Sequence, residues 1–199
     1  MKRTVTLISA LVLTMAVPAV AQPIPPGQKI GLAAYLRAGY TGLKATLTQA
    51  ADKMPEADYG SKPTSMPEVR TYGQLFAHVA DAQFGTCAVV KGVPNPNQGN
   101  KLEQDLKTKA EFVKALADSF GFCDDAFSSL TDANAMEFVK QGPGEVARSA
   151  MLAGLLVHNS EMYGISTVYL RAKNLVPPST EREMQRRGTG GRGGQSPGR

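Results

Sequence analysis

His78 and His158 are the only two imidazoles in this 199-residue chain, and each falls on the apolar stripe of a different predicted helix. Ring nitrogens from facing helices are how a helical bundle builds a metal site, because one helix cannot surround an ion. A His-x-x-x-His pair would place a further imidazole four residues after His158, where the chain has Met162. A thioether is a soft ligand that replaces imidazole poorly toward Zn²⁺, Ni²⁺ or Mn²⁺ and favours copper. Glu161, three residues after His158, can offer a carboxylate oxygen if its side chain turns inward. Asp81, one turn after His78, is a further oxygen donor or a partner for a ligating ring. The plain alternative is structural: a histidine hydrogen-bonded inside a core, and a methionine that only fills volume. In either case a polar ring on a buried stripe must find a partner, or it costs about 1–3 kcal/mol.

Four segments have the 3.6-residue periodicity needed to position these groups, and none shows sustained strand alternation. The first runs from about Gln28 to Met54, with Leu36, Tyr40, Leu43, Leu47, Ala50 and Met54 along one face. The second starts at a capping box, Thr71 with Gln74, and buries Leu75, His78, Ala82, Gly85 and Val89 before the loop Gly92-Val93-Pro94. A second capping box, Thr108 with Glu111, opens the third, whose buried side includes Phe112, Leu116, Cys123 and Phe127, up to a break at Thr131-Asp132. The fourth follows Gly142-Pro143-Gly144 and carries Met151, Leu155, His158, Met162, Ile165 and Tyr169 to about Lys173, with Pro177-Pro178 beyond it. Four long helices with one apolar stripe each predict an all-α four-helix bundle. The two connections flanking the second helix, each about 16 residues, exceed the usual 2–8 of a helical hairpin, so at least one can serve as a crossover.

Composition narrows the surroundings. Residues 1–21 have a basic start at Lys2 and Arg3, an apolar stretch Val5–Val17 and a small-x-small site at Ala19-Val20-Ala21. These are the marks of a secretory signal peptide and predict export to a periplasm or the exterior. No later apolar run is long enough to cross a bilayer, so no transmembrane helix is expected once the signal is removed. The formal net charge is +5, but Lys2 and Arg3 supply two charges, and five arginines against Glu181 and Glu183 supply a net three in residues 180–199. Residues 22–179 are therefore neutral and lack the basic footprint of a nucleic-acid-binding domain. The Arg/Gly-rich end, 180–199, is expected to be disordered.

The stretch Thr71-Tyr72-Gly73-Gln74-Leu75-Phe76-Ala77-His78-Val79-Ala80 resembles the second helix of DinB-like proteins. His158-Asn159-Ser160-Glu161-Met162-Tyr163-Gly164, followed by Tyr169-Leu170-Arg171, resembles their last helix. The resemblance covers roughly residues 28 to 178 and implies an up-down-down-up bundle. It also implies a divalent metal (Zn, Ni or Mn, with copper as the thioether alternative) held by three histidines, and a metal-dependent thiol transferase or hydrolase acting on an unknown small molecule. Only His78 and His158 match the ligand positions; Met162 stands at the third, and no catalytic base stands out. Three outcomes follow: a site lost to packing, a water-rich divalent site helped by Glu161 or Asp81, or a copper site using Met162. A non-catalytic binding or scaffolding bundle is the rival reading, and a homodimer is an assembly open to either.

Cys87 lies 16 residues after Thr71, and Cys123 lies 15 after Thr108. If the second and third helices run parallel, as the resemblance implies, the two sulfurs differ in height by only ~1.5 Å and a disulfide can form. Antiparallel helices would separate them by roughly 13 Å and leave two free thiols.

Overall fold

The computed structural model describes residues 27–190. The signal peptide expected at 1–21 and the last residues of the tail lie outside this range. The long helices are α1 (Leu32–Lys53), α2 (Tyr72–Lys91), α4 (Lys109–Ser128) and α5 (Arg148–Ala172). Shorter elements are a 3₁₀ turn at Glu56–Asp58, α3 (Leu102–Asp105), the strands β1 (Phe138–Gln141) and β2 (Gly144–Ala147), and α6 (Pro178–Gly190).

Side-chain contacts fix the directions of the four long helices. Tyr72 Oη, at the start of α2, donates to Ala50 O near the end of α1, so these two run antiparallel. Lys109 Nζ, at the start of α4, reaches Met54 O at the end of α1, while Asp124 meets Tyr40 near its beginning, so α1 and α4 are also antiparallel. Gly73 lies against Phe112, and Cys87 is disulfide-bonded to Cys123, which makes α2 and α4 parallel. Tyr72 touches Tyr169, and His78 touches His158 further along, so α5 runs against α2. The bundle is up-down-down-up, and the long connection from α2 to α4 is the crossover that this order demands. Its core joins Leu47, Phe76, Leu116, Phe127, Leu152 and Leu170, all nearly inaccessible to solvent.

Both capping boxes form at the predicted starts, with Thr71 accepting from Gln74 N and Thr108 from Glu111 N. The start of α1 is capped from a distance instead. Asp132 Oδ1 accepts from Ala33 N at 2.8 Å, and the carboxyl comes so close to Gly31 that a Cβ there would lie 1.8 Å from Asp132 Oδ2.

Two expectations need correction. Strand pairing was not anticipated, yet β1 and β2 form an antiparallel hairpin with Gln141 opposite Gly144. Gly142, at φ 58°, supplies the positive dihedral that its two-residue turn requires. Each strand has only four residues with no clean in–out alternation, so no period-2 signal exists to detect. The end of α5 at Ala172 agrees with the expected end at about Lys173: Asn174 turns left-handed at φ 57° and Leu175 N closes back onto Leu170 O. Second, part of the tail expected to be disordered from residue 180 continues as α6 (Pro178–Gly190), so the boundary expected at residue 179 falls inside a helix. Pro178 suits a first helical turn, and Arg182 anchors α6 by donating to Thr46 Oγ1 at 2.6 Å and Gln49 Oε1 at 3.2 Å.

Candidate metal centre

The capping box that starts α2 also positions the site. Gln74 Oε1 accepts from Thr71 N, and its Nε2 donates to Glu103 O at 3.0 Å, which ties α3 to the first turn of α2. His78 follows one turn later, and α3 thereby delivers the Glu103 carboxylate to it. Glu103 Oε1 lies 2.9 Å from His78 Nδ1. Arg70 holds the same carboxylate through Nε to Oε2 at 2.8 Å and Nη2 to Oε1 at 3.2 Å. Arg70 Nη2 is also 3.2 Å from His78 Nδ1, but a guanidinium only donates, so the ring nitrogen and the guanidinium share Oε1 as acceptor. Tyr169 of α5 fixes this segment by donating to Arg70 O at 2.7 Å.

From α5, His158 brings its ring to 5.0 Å from that of His78, centroid to centroid, at 56° between planes. Its Nδ1 faces Asn159 Oδ1 at 3.3 Å. The ionic acceptor beside His78 calls for the proton on Nδ1 and leaves the Nε2 lone pair of that ring; the second ring has the Asn159 amide beside its Nδ1, and the buried Nδ2 of that amide has no other partner. His78 is held below the ordinary imidazole range, chiefly by burial and then by the Arg70 charge; Glu103 opposes this, and His158 adds a smaller depression. The ring therefore favours its neutral, ligand-competent form. Asp81 is pushed up by burial and by the Glu103 charge, while Asn97 Nδ2 donates to it and pulls the other way.

The sequence-derived ligand candidates separate here. His78 and His158 come together. Met162 is buried at 6 % exposure one turn beyond His158, as a core-filling methionine would be. Glu161 points to solvent on the outer side of α5, so it does not supply the inward carboxylate considered for it. Among the described residues, no three His, Cys, Asp or Glu side chains converge in a way that could hold a metal. The donor set fits an ion on two imidazole nitrogens with water completing its shell, and does not fit an enclosed structural centre.

Glu103, Arg70 and Asn159 were not apparent as participants from sequence. Glu103 is 25 positions from His78, on a four-residue helix with no periodicity of its own, and only the crossover's path brings it back. The adjacency of Asn159 to His158 is visible in the chain, but its role depends on which way the amide points.

The cysteines form the disulfide that the parallel arrangement permits, with Cα atoms 5.4 Å apart and both residues fully buried. Among the described residues no helix is long and apolar enough to cross a membrane.

No curated protein matches the chain. A crystal structure of a DinB-like protein from Bacillus cereus ATCC 10987 superposes with a TM-score of 0.59 at 14% identity, covering 72% of this chain and 93% of that one. At that identity the likeness concerns the fold alone. A protein-family model described as the DinB superfamily matches residues 40–161, more than half of the chain and including both histidines, and the chain belongs to that superfamily.

Proposed function

We propose that this is an exported DinB-superfamily protein that binds one divalent cation between His78 and His158 and uses it on a small-molecule substrate. The observation that carries the reading is the pair of rings 5.0 Å apart, each with Nδ1 turned to an oxygen acceptor. His78 and His158 would hold the ion through Nε2, with Glu103 orienting the first ring and Asn159 the second. When bound, the ion supplies Lewis-acid chemistry for a hydrolase or thiol transferase. Arg70 holds the Glu103 carboxylate in place through two hydrogen bonds, while Met162 contributes packing and leaves the third protein position without a nitrogen donor. A buried disulfide and the apolar leader-like segment Val5–Val17 support export.

Elemental analysis of protein purified without chelators, followed by titration with Zn²⁺, Ni²⁺, Mn²⁺ and Cu⁺, tests this reading. One ion per chain, lost in His78→Ala, is expected. A Met162→His variant should bind more tightly by gaining a third nitrogen. If the natural chain takes up no ion at stoichiometry and Met162→His does, the centre has been lost in this chain. That outcome would favour a non-catalytic scaffold, a second reading supported by the absence of a three-donor cluster among the described residues.

A further inference from the structure

The outward faces of α4 and α5 differ in kind. Along α4 the exposed positions include Glu111, Lys114, Asp118 and Asp125. Along α5 the exposed positions from 150 to 168 include a single charge, Glu161. Val157 is 69 % exposed and Val168 is 55 % exposed. They are about three turns apart and so lie on one side of the helix. Gly164 is exposed between them, and a Cβ built there meets nothing within 4 Å. An apolar stripe on the outward face of a bundle helix, where polar side chains are the rule, marks a contact surface.

The charges beside this stripe select what covers it. Glu161 and Arg171 are both exposed, and neither joins an ion pair among the described residues. Arg171 Nη2 donates instead to the neutral Thr180 Oγ1 at 3.2 Å. Glu161 and Arg171 lie five residues to either side of Ser166, and Gly164 and Val168 lie two residues to either side of it. Two copies of α5 packed antiparallel about that midpoint therefore set each Glu161 opposite the other copy's Arg171. The same register sets each Val168 over the other copy's Gly164, so that a projecting side chain meets a position that has none. It also brings Val157 to the level of the other copy's Leu175 and Val176, the latter 39 % exposed. A twofold contact must be self-complementary, and here one register satisfies charge, shape and apolar pairing together.

We propose that α5 is a homodimer interface: two copies pack antiparallel through Val157, Gly164 and Val168, with a Glu161–Arg171 ion pair between copies at each end. The contact from Val157 to Leu175 is about 27 Å long, which puts it at the small end of specific interfaces. It makes no use of the histidine pair and does not depend on metal binding.

Sedimentation equilibrium of the purified protein, from about 1 to about 200 μM, tests the proposal, and a monomer–dimer equilibrium within that range is expected. Glu161→Arg and Arg171→Glu each set like charges across the contact and should weaken the dimer about tenfold or more at low salt. The double variant Glu161→Arg/Arg171→Glu exchanges the two charges and should recover the natural affinity to within about threefold. All these positions are exposed, so the melting temperature of the monomer should stay that of the natural chain. A readout that needs no variant is dilution of isotope-labelled natural protein. The amide signals of Gly164 and Val168 should shift as the dimer dissociates, and those of Glu111 and Asp118 on α4 should not. The proposal is overturned if the natural chain stays monomeric throughout, if the signals of α5 do not respond to dilution, or if the double variant dimerises no better than the single ones.

Discussion

Helix α2 is joined to its neighbours in two different ways nine residues apart. At Cys87 it is bonded covalently to Cys123 of α4, both sulfurs buried and surrounded by core. At His78 it meets α3 and α5 through polar groups alone, with ring and Glu103 carboxylate each about a quarter to a third exposed. The first joint can be lost only by a chemical step. The second can exchange partners, admit water and accept a ligand. The covalent joint and the open polar joint thus fall on different turns of one helix, which explains how an open polar site can sit in a bundle of this size.

The largest effect that would test this contrast is at the disulfide. Replacing Cys87 and Cys123 by alanine releases a loop with a sequence separation of 36 and should cost about 3–4 kcal/mol, read from the urea midpoint. An unchanged midpoint would mean that packing alone holds that end. Next is Glu103→Gln, which keeps the shape but removes the charge that orients His78. Metal affinity should fall about 10–100-fold in a chelator competition, with little change in the melting temperature. A large loss of stability with unaltered affinity would instead make Glu103 a structural staple. Thr71→Ala removes the cap that starts α2 and should cost about 1 kcal/mol. Amide exchange should quicken around His78 more than around Cys87 if the two joints differ as described.

The smallest effect is on pH. Folded His78 holds a proton less tightly than it does in the unfolded chain. As pH falls through about 6.5, the unfolded chain takes up that proton first, so the metal-free protein loses stability toward acid and keeps this contribution above that value. His78→Gln should flatten the slope between about pH 5 and 7 in denaturation curves. An identical slope in both proteins would remove His78 from the account.

The four long helices were readable because their signals are local. Leu36, Tyr40, Leu47 and Ala50 recur at helical spacing, and Thr71–Gln74 and Thr108–Glu111 announce their own starts. The pairing of His78 with His158 was readable only as two polar rings on apolar stripes; what holds them was not. Glu103 and Asp132 come from connecting segments, where no periodicity exists and where the partner lies 25 or 99 positions away. The hairpin and α6 escaped for a related reason. Four-residue strands carry too few residues for alternation to show, and the polar, arginine-rich α6 is anchored by contacts with α1 more than by its own composition.

By itself the sequence determined an all-α bundle, the helix starts and the presence of two candidate ligands with a methionine in place of a third. Those properties depend on neighbours three or four residues apart, whose relation the helix geometry dictates. Only the tertiary structure decided that Glu103 reaches His78, that Glu161 faces outward and that Cys87 meets Cys123. Each of these depends on the path of a connection and the relative rotation of packed helices, quantities fixed by the whole core at once and encoded in no single segment.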